Sequence, residues 1–166
     1  MRMHVLRWQV LGALLKAAAL AFAALFLAPQ AATAHSFNES YVYFDVAETS
    51  LSGRIEVTLK ELAKVNARDG AVVDPLTPQQ VEENFDTLTA YFAQHLALVH
   101  EEQRFDVVFD GVSFFDTEAG TFAQLEFTVQ DVGRTPVTLQ MSYDALYADI
   151  DPAHRGYALI GSNARN

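Results

Sequence analysis

Cysteine is absent from all 166 residues. That excludes disulfides, thiolate metal sites, haem attachment and a lipidated cysteine, so the fold must rest on a hydrophobic core. Acidic residues are missing from the first 38 positions, and the first carboxylate is Glu39. Catalytic signatures are missing as well: no G-x-S-x-G, H-E-x-x-H or glycine-rich phosphate loop occurs. Ser40, Ser113 and Ser142 fall on predicted strands with no histidine in the same element, so the sequence points away from an enzyme. The single tryptophan is Trp8, and nothing further along marks a substrate face for an oxidase built on an N-terminal histidine copper site.

What the first 34 residues do contain is a secretory signal. Arg2, His4 and Arg7 make a basic start, Ala17 to Ala28 is apolar, and Ala32-Thr33-Ala34 is an A-x-A cleavage site. The expected mature chain therefore starts at His35 and runs to residue 166 as one extracytoplasmic, periplasmic domain. The competing reading is an uncleaved membrane anchor over Trp8–Ala28, nearly long enough to span. Lys16 lies within that run, where a charge costs about 2.5–3.5 kcal/mol, and favours cleavage. The mature 132 residues keep eight basic and all twenty-one acidic residues, a net charge of −13. Such a surface disfavours nucleic acid and anionic lipid and suits cations or basic proteins.

Strand patterning dominates the chain beyond the signal. Val42, Phe44 and Val46 alternate with Tyr41, Tyr43 and Asp45; Ile55, Val57 and Leu59 alternate with Arg54, Glu56 and Thr58. Period two marks half-buried strands, and Ser52-Gly53 between them predicts a hairpin turn. After a break at 66–75, Thr77 and Gln80 form a capping box with Pro78 at the first helical position. Val81, Phe85, Leu88, Phe92, Leu96 and Val99 then make one apolar stripe, predicting a helix of about five turns. Further strands are predicted over 105–115, 122–130 and 136–143, with a last short one at 156–160. The expected fold is mainly β (α+β): an antiparallel, Ig-like β-sandwich with one long inserted amphipathic helix.

Two places offer metal chemistry. A mature His35 would present an α-amine and an imidazole that chelate together, a nitrogen pair suited to Cu(II) or Ni(II). In the segment Asp149-Ile150-Asp151-Pro152-Ala153-His154-Arg155-Gly156, an extended backbone would put Asp149 and Asp151 on one face with Ile150 inward. A turn at Pro152 would bring His154 back to them. The plain alternative is an Asp-Pro surface turn with Arg155 paired to one of the aspartates. His95, beside the apolar stripe, and His100, at the expected helix end, are weaker candidates, and Asn66–Gly70 reads as a turn.

The order Ala34-His35-Ser36, Ser40-Tyr41-Val42-Tyr43-Phe44, Gly53-Arg54-Ile55-Glu56-Val57 and Leu146-Tyr147-Ala148-Asp149-Ile150-Asp151-Pro152-Ala153-His154-Arg155-Gly156 resembles the extracytoplasmic N-terminal region of HupE/UreJ-type membrane proteins. Those are similar to nickel or cobalt permeases, with a D-x-D-P-x-H-R-G segment followed by membrane helices. The resemblance implies that His35 and His154 act together. With Asp149 or Asp151 they would hold a divalent transition metal, Cu(II) or Ni(II) before Co(II), for a membrane permease partner. It also implies a chain that would continue into membrane spans, so a truncated copy, a fragment and a stand-alone binder are all open. From another functional class comes an interaction domain without metal, docking on a membrane partner with D-x-D-P-x-H-R-G as a structural corner. Intact-mass analysis of protein from the periplasmic fraction should give residues 35–166; a mass of all 166 residues would remove both the cleavage and the His35 chelate.

Overall fold

The computed structural model describes residues 38–67 and 74–162, so His35 lies outside the described residues. The chain divides into units 1–33 and 34–166, and all described residues belong to the second.

The apolar alternation of the first two strands places them at the centre of a sheet. β1 (Glu39–Val46) and β2 (Leu51–Thr58) pair antiparallel, Val42 opposite Ile55. Val42, Ile55 and Val57 are fully buried as expected, but Tyr41, Glu56 and Thr58, which alternate with them, are buried as well, so the strands are more than half-buried. The turn lies at Ala47–Ser50, closed by Ala47 N–H on the Ser50 carbonyl at 3.0 Å, and not at Ser52-Gly53. Gly53 sits inside β2 for a steric reason: a Cβ there would lie 2.1 Å from the Tyr43 carbonyl oxygen and 2.6 Å from the Phe127 ring.

β5 (Val107–Thr117) and β6 (Gly120–Val129) extend this sheet beyond β2, and β8 (Arg155–Ser162) closes its other side, in the order β5-β6-β2-β1-β8. The β1–β8 pair is parallel, an exception to the antiparallel expectation. A second sheet of three strands runs β4 (Gln103–Phe105), β3 (Leu96–His100), β7 (Gln140–Tyr143). The domain is therefore mainly β, with two mostly antiparallel sheets and a helical segment between the second and third strands.

The predicted helix is corrected in two ways. It is broken at Asn84 into α2 (Pro78–Glu83) and α3 (Phe85–His95), and it ends at His95. The Thr77–Gln80 capping box is present as expected, both of its hydrogen bonds formed. Beyond His95 the chain turns extended at Leu96 (φ −116°, ψ 110°), because Leu96–Val99 pair with β7 and the Asp144 N–H takes the His95 carbonyl at 3.2 Å. Tertiary pairing thus overrides the helical spacing of Leu96 and Val99. A helix not foreseen, α1 (Leu59–Ala67), follows β2 directly. Its signal was Thr58-Leu59-Lys60-Glu61, a capping sequence, and the Thr58 hydroxyl does accept the Glu61 N–H at 3.1 Å.

The stripe nevertheless forms core. Val81, Leu88 and Phe92 are fully buried and join one cluster with Leu62, Ile55 and Leu125. Among the described residues no helix is long and apolar enough to cross a membrane. Phe92→Ala should cost about 3–5 kcal/mol by transfer and cavity formation, whereas exposed Glu82→Ala should stay within about 0.5 kcal/mol; urea midpoints measure both.

Candidate functional site

The segment 144–154 is a series of turns, not an extended strand, and that separates its acids. Ile150 and Asp151 N–H both bond the Leu146 carbonyl, at 3.0 and 2.7 Å. The result sends Asp149 one way and Asp151 another, while Ile150 packs against the core as expected.

Asp151 faces α1. Its Oδ2 meets Lys64 Nζ at 2.7 Å, and its Oδ1 accepts the Ala153 N–H at 2.9 Å across Pro152. The Asp151 carbonyl accepts the His154 N–H at 2.9 Å, which turns the imidazole inward. His154 is 3% exposed, and both its ring nitrogens are engaged: Nδ1 with Glu61 Oε2 at 3.2 Å and Nε2 with Ser40 Oγ at 2.9 Å. The Tyr143 hydroxyl bonds Ser40 Oγ at 2.9 Å.

Donor roles follow from Glu61. An ionised carboxylate only accepts, so Nδ1–H donates to it, and in a neutral imidazole Nε2 then accepts from the Ser40 hydroxyl. Tyr143 O–H in turn donates to Ser40. Lys64 Nζ lies 2.8 Å from Glu61 Oε1, an ion pair whose angle falls short of a good hydrogen bond. Burial would raise the Glu61 pKa, but the bonds and charges of His154 and Lys64 outweigh it and hold the carboxyl below its ordinary value. Lys64 Nζ holds Asp151 low in the same way, helped by the Ala153 N–H. Burial would lower Lys64, yet its two carboxylate partners keep it raised.

Ser40, His154 and Glu61 stand in the order of a nucleophile–base–acid triad. Ser40 is 0% exposed and its Oγ is engaged on both sides, so no substrate carbonyl can reach it. The geometry is that of a lock joining β1, α1, β7 and the start of β8. Gly156 belongs to it: a Cβ there would fall 2.7 Å from the Tyr143 ring.

The metal site expected from His154, Asp149 and Asp151 is thus not assembled. His154 has no nitrogen to spare, Asp151 is neutralised by Lys64, and Asp149 turns to α3. There Tyr91 O–H donates to Asp149 Oδ1 at 2.8 Å while accepting the Leu146 N–H at 2.7 Å. Burial pushes the Tyr91 hydroxyl well above its usual pKa, reinforced by Asp149. His95, on the same helix face one turn on, meets Asp144 through Nδ1 at 2.8 Å and faces Asp149 Oδ2 through Nε2 at 3.7 Å. His100 ends β3, not a helix, with Nδ1 on the Thr138 carbonyl at 2.7 Å. Among the described residues no group of three or more His, Cys, Asp or Glu side chains forms a metal-holding set.

Ser40 and Glu61 are the partners that sequence reasoning missed. They lie 114 and 93 positions from His154, and the one local signal that could have pointed to either, the capping sequence Thr58–Glu61, was missed as well. No family model matches the chain, and no curated protein or solved structure is similar to it.

The lock sets the pH range of stability. Glu61 and Asp151, held low when folded, contribute fully above their unfolded values of about 4.3 and 3.9 and lose that contribution as pH falls through the folded ones. Lys64, held high, contributes below about 10.4 and loses it as pH rises through its folded value. The combined contribution of the three should therefore be full from about pH 5 to 10 and fall on either side, read from urea midpoints. Glu61→Ala, which leaves His154 Nδ1 buried without its carboxylate and Lys64 with Asp151 alone, should cost about 3–5 kcal/mol and reduce the acid limb to the part Asp151 contributes.

Proposed function

We propose that this chain is an exported, extracytoplasmic interaction domain of the HupE/UreJ type, its two sheets the faces of an Ig-like sandwich, docking on a membrane partner. The observation that carries this reading is the apolar surface on and beside the edge strand β8. Ile160 is 77% exposed and Val137 fully exposed, and Tyr157, Leu159 and Met141 are also in the open. Between β8 and β7 lies a groove of about 480 Å³ lined by Phe44, Leu98, Leu139, Met141, Ala158 and Ile160. β8 pairs on one side only among the described residues, so its outer backbone groups are available to a further strand.

The occupant is an extended apolar segment of the partner protein with basic flanks. Edge addition supplies main-chain hydrogen bonds and the groove takes alternate side chains. The net charge of −13 on residues 35–166 favours a cationic partner and disfavours a second copy of the same acidic chain. In this reading D-x-D-P-x-H-R-G is a structural corner: it fixes where β8 starts. The engagement of both His154 nitrogens supports that role over metal delivery through His154.

A lysine-flanked peptide of alternating valine and isoleucine, followed by fluorescence anisotropy, tests the docking. The parent protein should bind it, more weakly as salt rises, and Ile160→Asp should weaken binding at least about tenfold, the ~1.4 kcal/mol that removing one buried apolar anchor readily exceeds. Equal binding by both proteins would overturn the docking surface, and self-association of the parent in sedimentation would assign β8 to a dimer instead.

A further inference from the structure

His95 closes the last turn of α3, and the turn series after β7 wraps around it. Asp144 and Asp149, five residues apart, reach it from two sides. Asp144 Oδ1 lies 2.8 Å from Nδ1, which makes Nδ1 the donor and leaves Nε2 with a free lone pair in the neutral ring. That lone pair faces Asp149 Oδ2 at 3.7 Å. The distance is too long for a hydrogen bond and close to the separation of two donors each about 2.0–2.2 Å from one metal. Asp149 is itself held, since Tyr91 donates to its other oxygen at 2.8 Å. A carboxylate behind a histidine, fixing its tautomer and orientation, is the outer-shell arrangement of metal-bound imidazoles.

The pair opens on solvent. His95 is 19% and Asp149 47% exposed at the side chain, and both line a cleft of about 620 Å³ with Asp86, Gln94 and Tyr91. We propose that His95 Nε2 and Asp149 Oδ2 are the protein donors of a site for one divalent transition-metal ion, with Asp144 as the positioning residue and water completing the coordination. An imidazole with a single carboxylate favours zinc, nickel or copper over magnesium or calcium, which ask for more oxygens. The site is independent of the β8 docking surface and does not use His154.

Calorimetric titration of the mature protein with Zn(II) and with Ni(II) is the test, read together with the ¹⁵N shift of His95 Nε2 on Zn(II) addition. One equivalent should bind, the Nε2 resonance should move, and excess Mg(II) should not displace the metal. His95→Ala and Asp149→Asn should abolish this binding; the asparagine can still accept from Tyr91, and circular dichroism checks that each variant is folded. Asp144→Ala should weaken it about 10–100-fold, and His100→Ala should leave it unchanged. Full affinity in folded His95→Ala, an unmoved Nε2 resonance, or loss of binding only in His35→Ala would overturn the proposal.

Discussion

One buried imidazole fixes the register of the strand that closes the main sheet. β1 and β8 run parallel, Ser40 beside Gly156, and no tight turn connects them to set their alignment. Residues 155–161 of β8 are all exposed, so burial of one face does not specify this alignment. A slip of one residue would separate Ser40 from His154, whose imidazole sits immediately before β8 and has its other nitrogen on Glu61 of α1. Breaking that arrangement leaves a buried imidazole short of a partner and the buried Glu61 carboxylate with Lys64 alone, which costs more than a single apolar contact in the sheet. With no cysteine available to pin the strand, a hydrogen-bonded chain from Tyr143 through Ser40 and His154 to Glu61, itself ion-paired with Lys64, takes that role.

The lock explains most of the Asp149–Gly156 segment residue by residue. Asp151 closes its own turn through the Ala153 N–H and holds Lys64; His154 enters the core; Gly156 leaves room for the Tyr143 ring. Asp149 alone does nothing for the lock, because the turns that begin at Leu146 point it towards α3. A motif that looks like one site in sequence is therefore two pieces of structure back to back.

How much of this was legible depended on distance along the chain. The alternation of β1, β2 and β6 and the capping box at Thr77 are local patterns; their apolar faces and capping bonds lie where the patterns place them, but Tyr41, Glu56 and Thr58 on the other face are buried too, and Leu59 begins α1 instead of ending β2. The end of α3 was not legible, since Leu96 and Val99 continue the helical spacing and only pairing with β7, more than 40 residues on, makes them a strand. The lock was invisible for the same reason. Nothing in Ser40 or Glu61 marks them as partners of His154 until folding brings three distant segments together. Reading 149–151 as extended failed because residues 144–150 carry no glycine to announce a turn; the chain instead puts Leu146 at φ +66°.

That left-handed leucine ties the open cleft to the core. A leucine in this region is uncommon and costs of order 1–3 kcal/mol, so it persists only when its surroundings hold it there. Here the Leu146 side chain is fully buried and its N–H is bonded by the Tyr91 hydroxyl. The same hydroxyl donates to Asp149, and the next turn of α3 carries His95 against Asp144. The positions of Asp144 and Asp149 about the imidazole are consequently set by core packing on one side and by a single tyrosine on the other. Solvent-exposed as they are, these side chains are arranged before any ligand arrives, and the ordering cost that weakens most surface carboxylate–histidine pairs has already been met in folding.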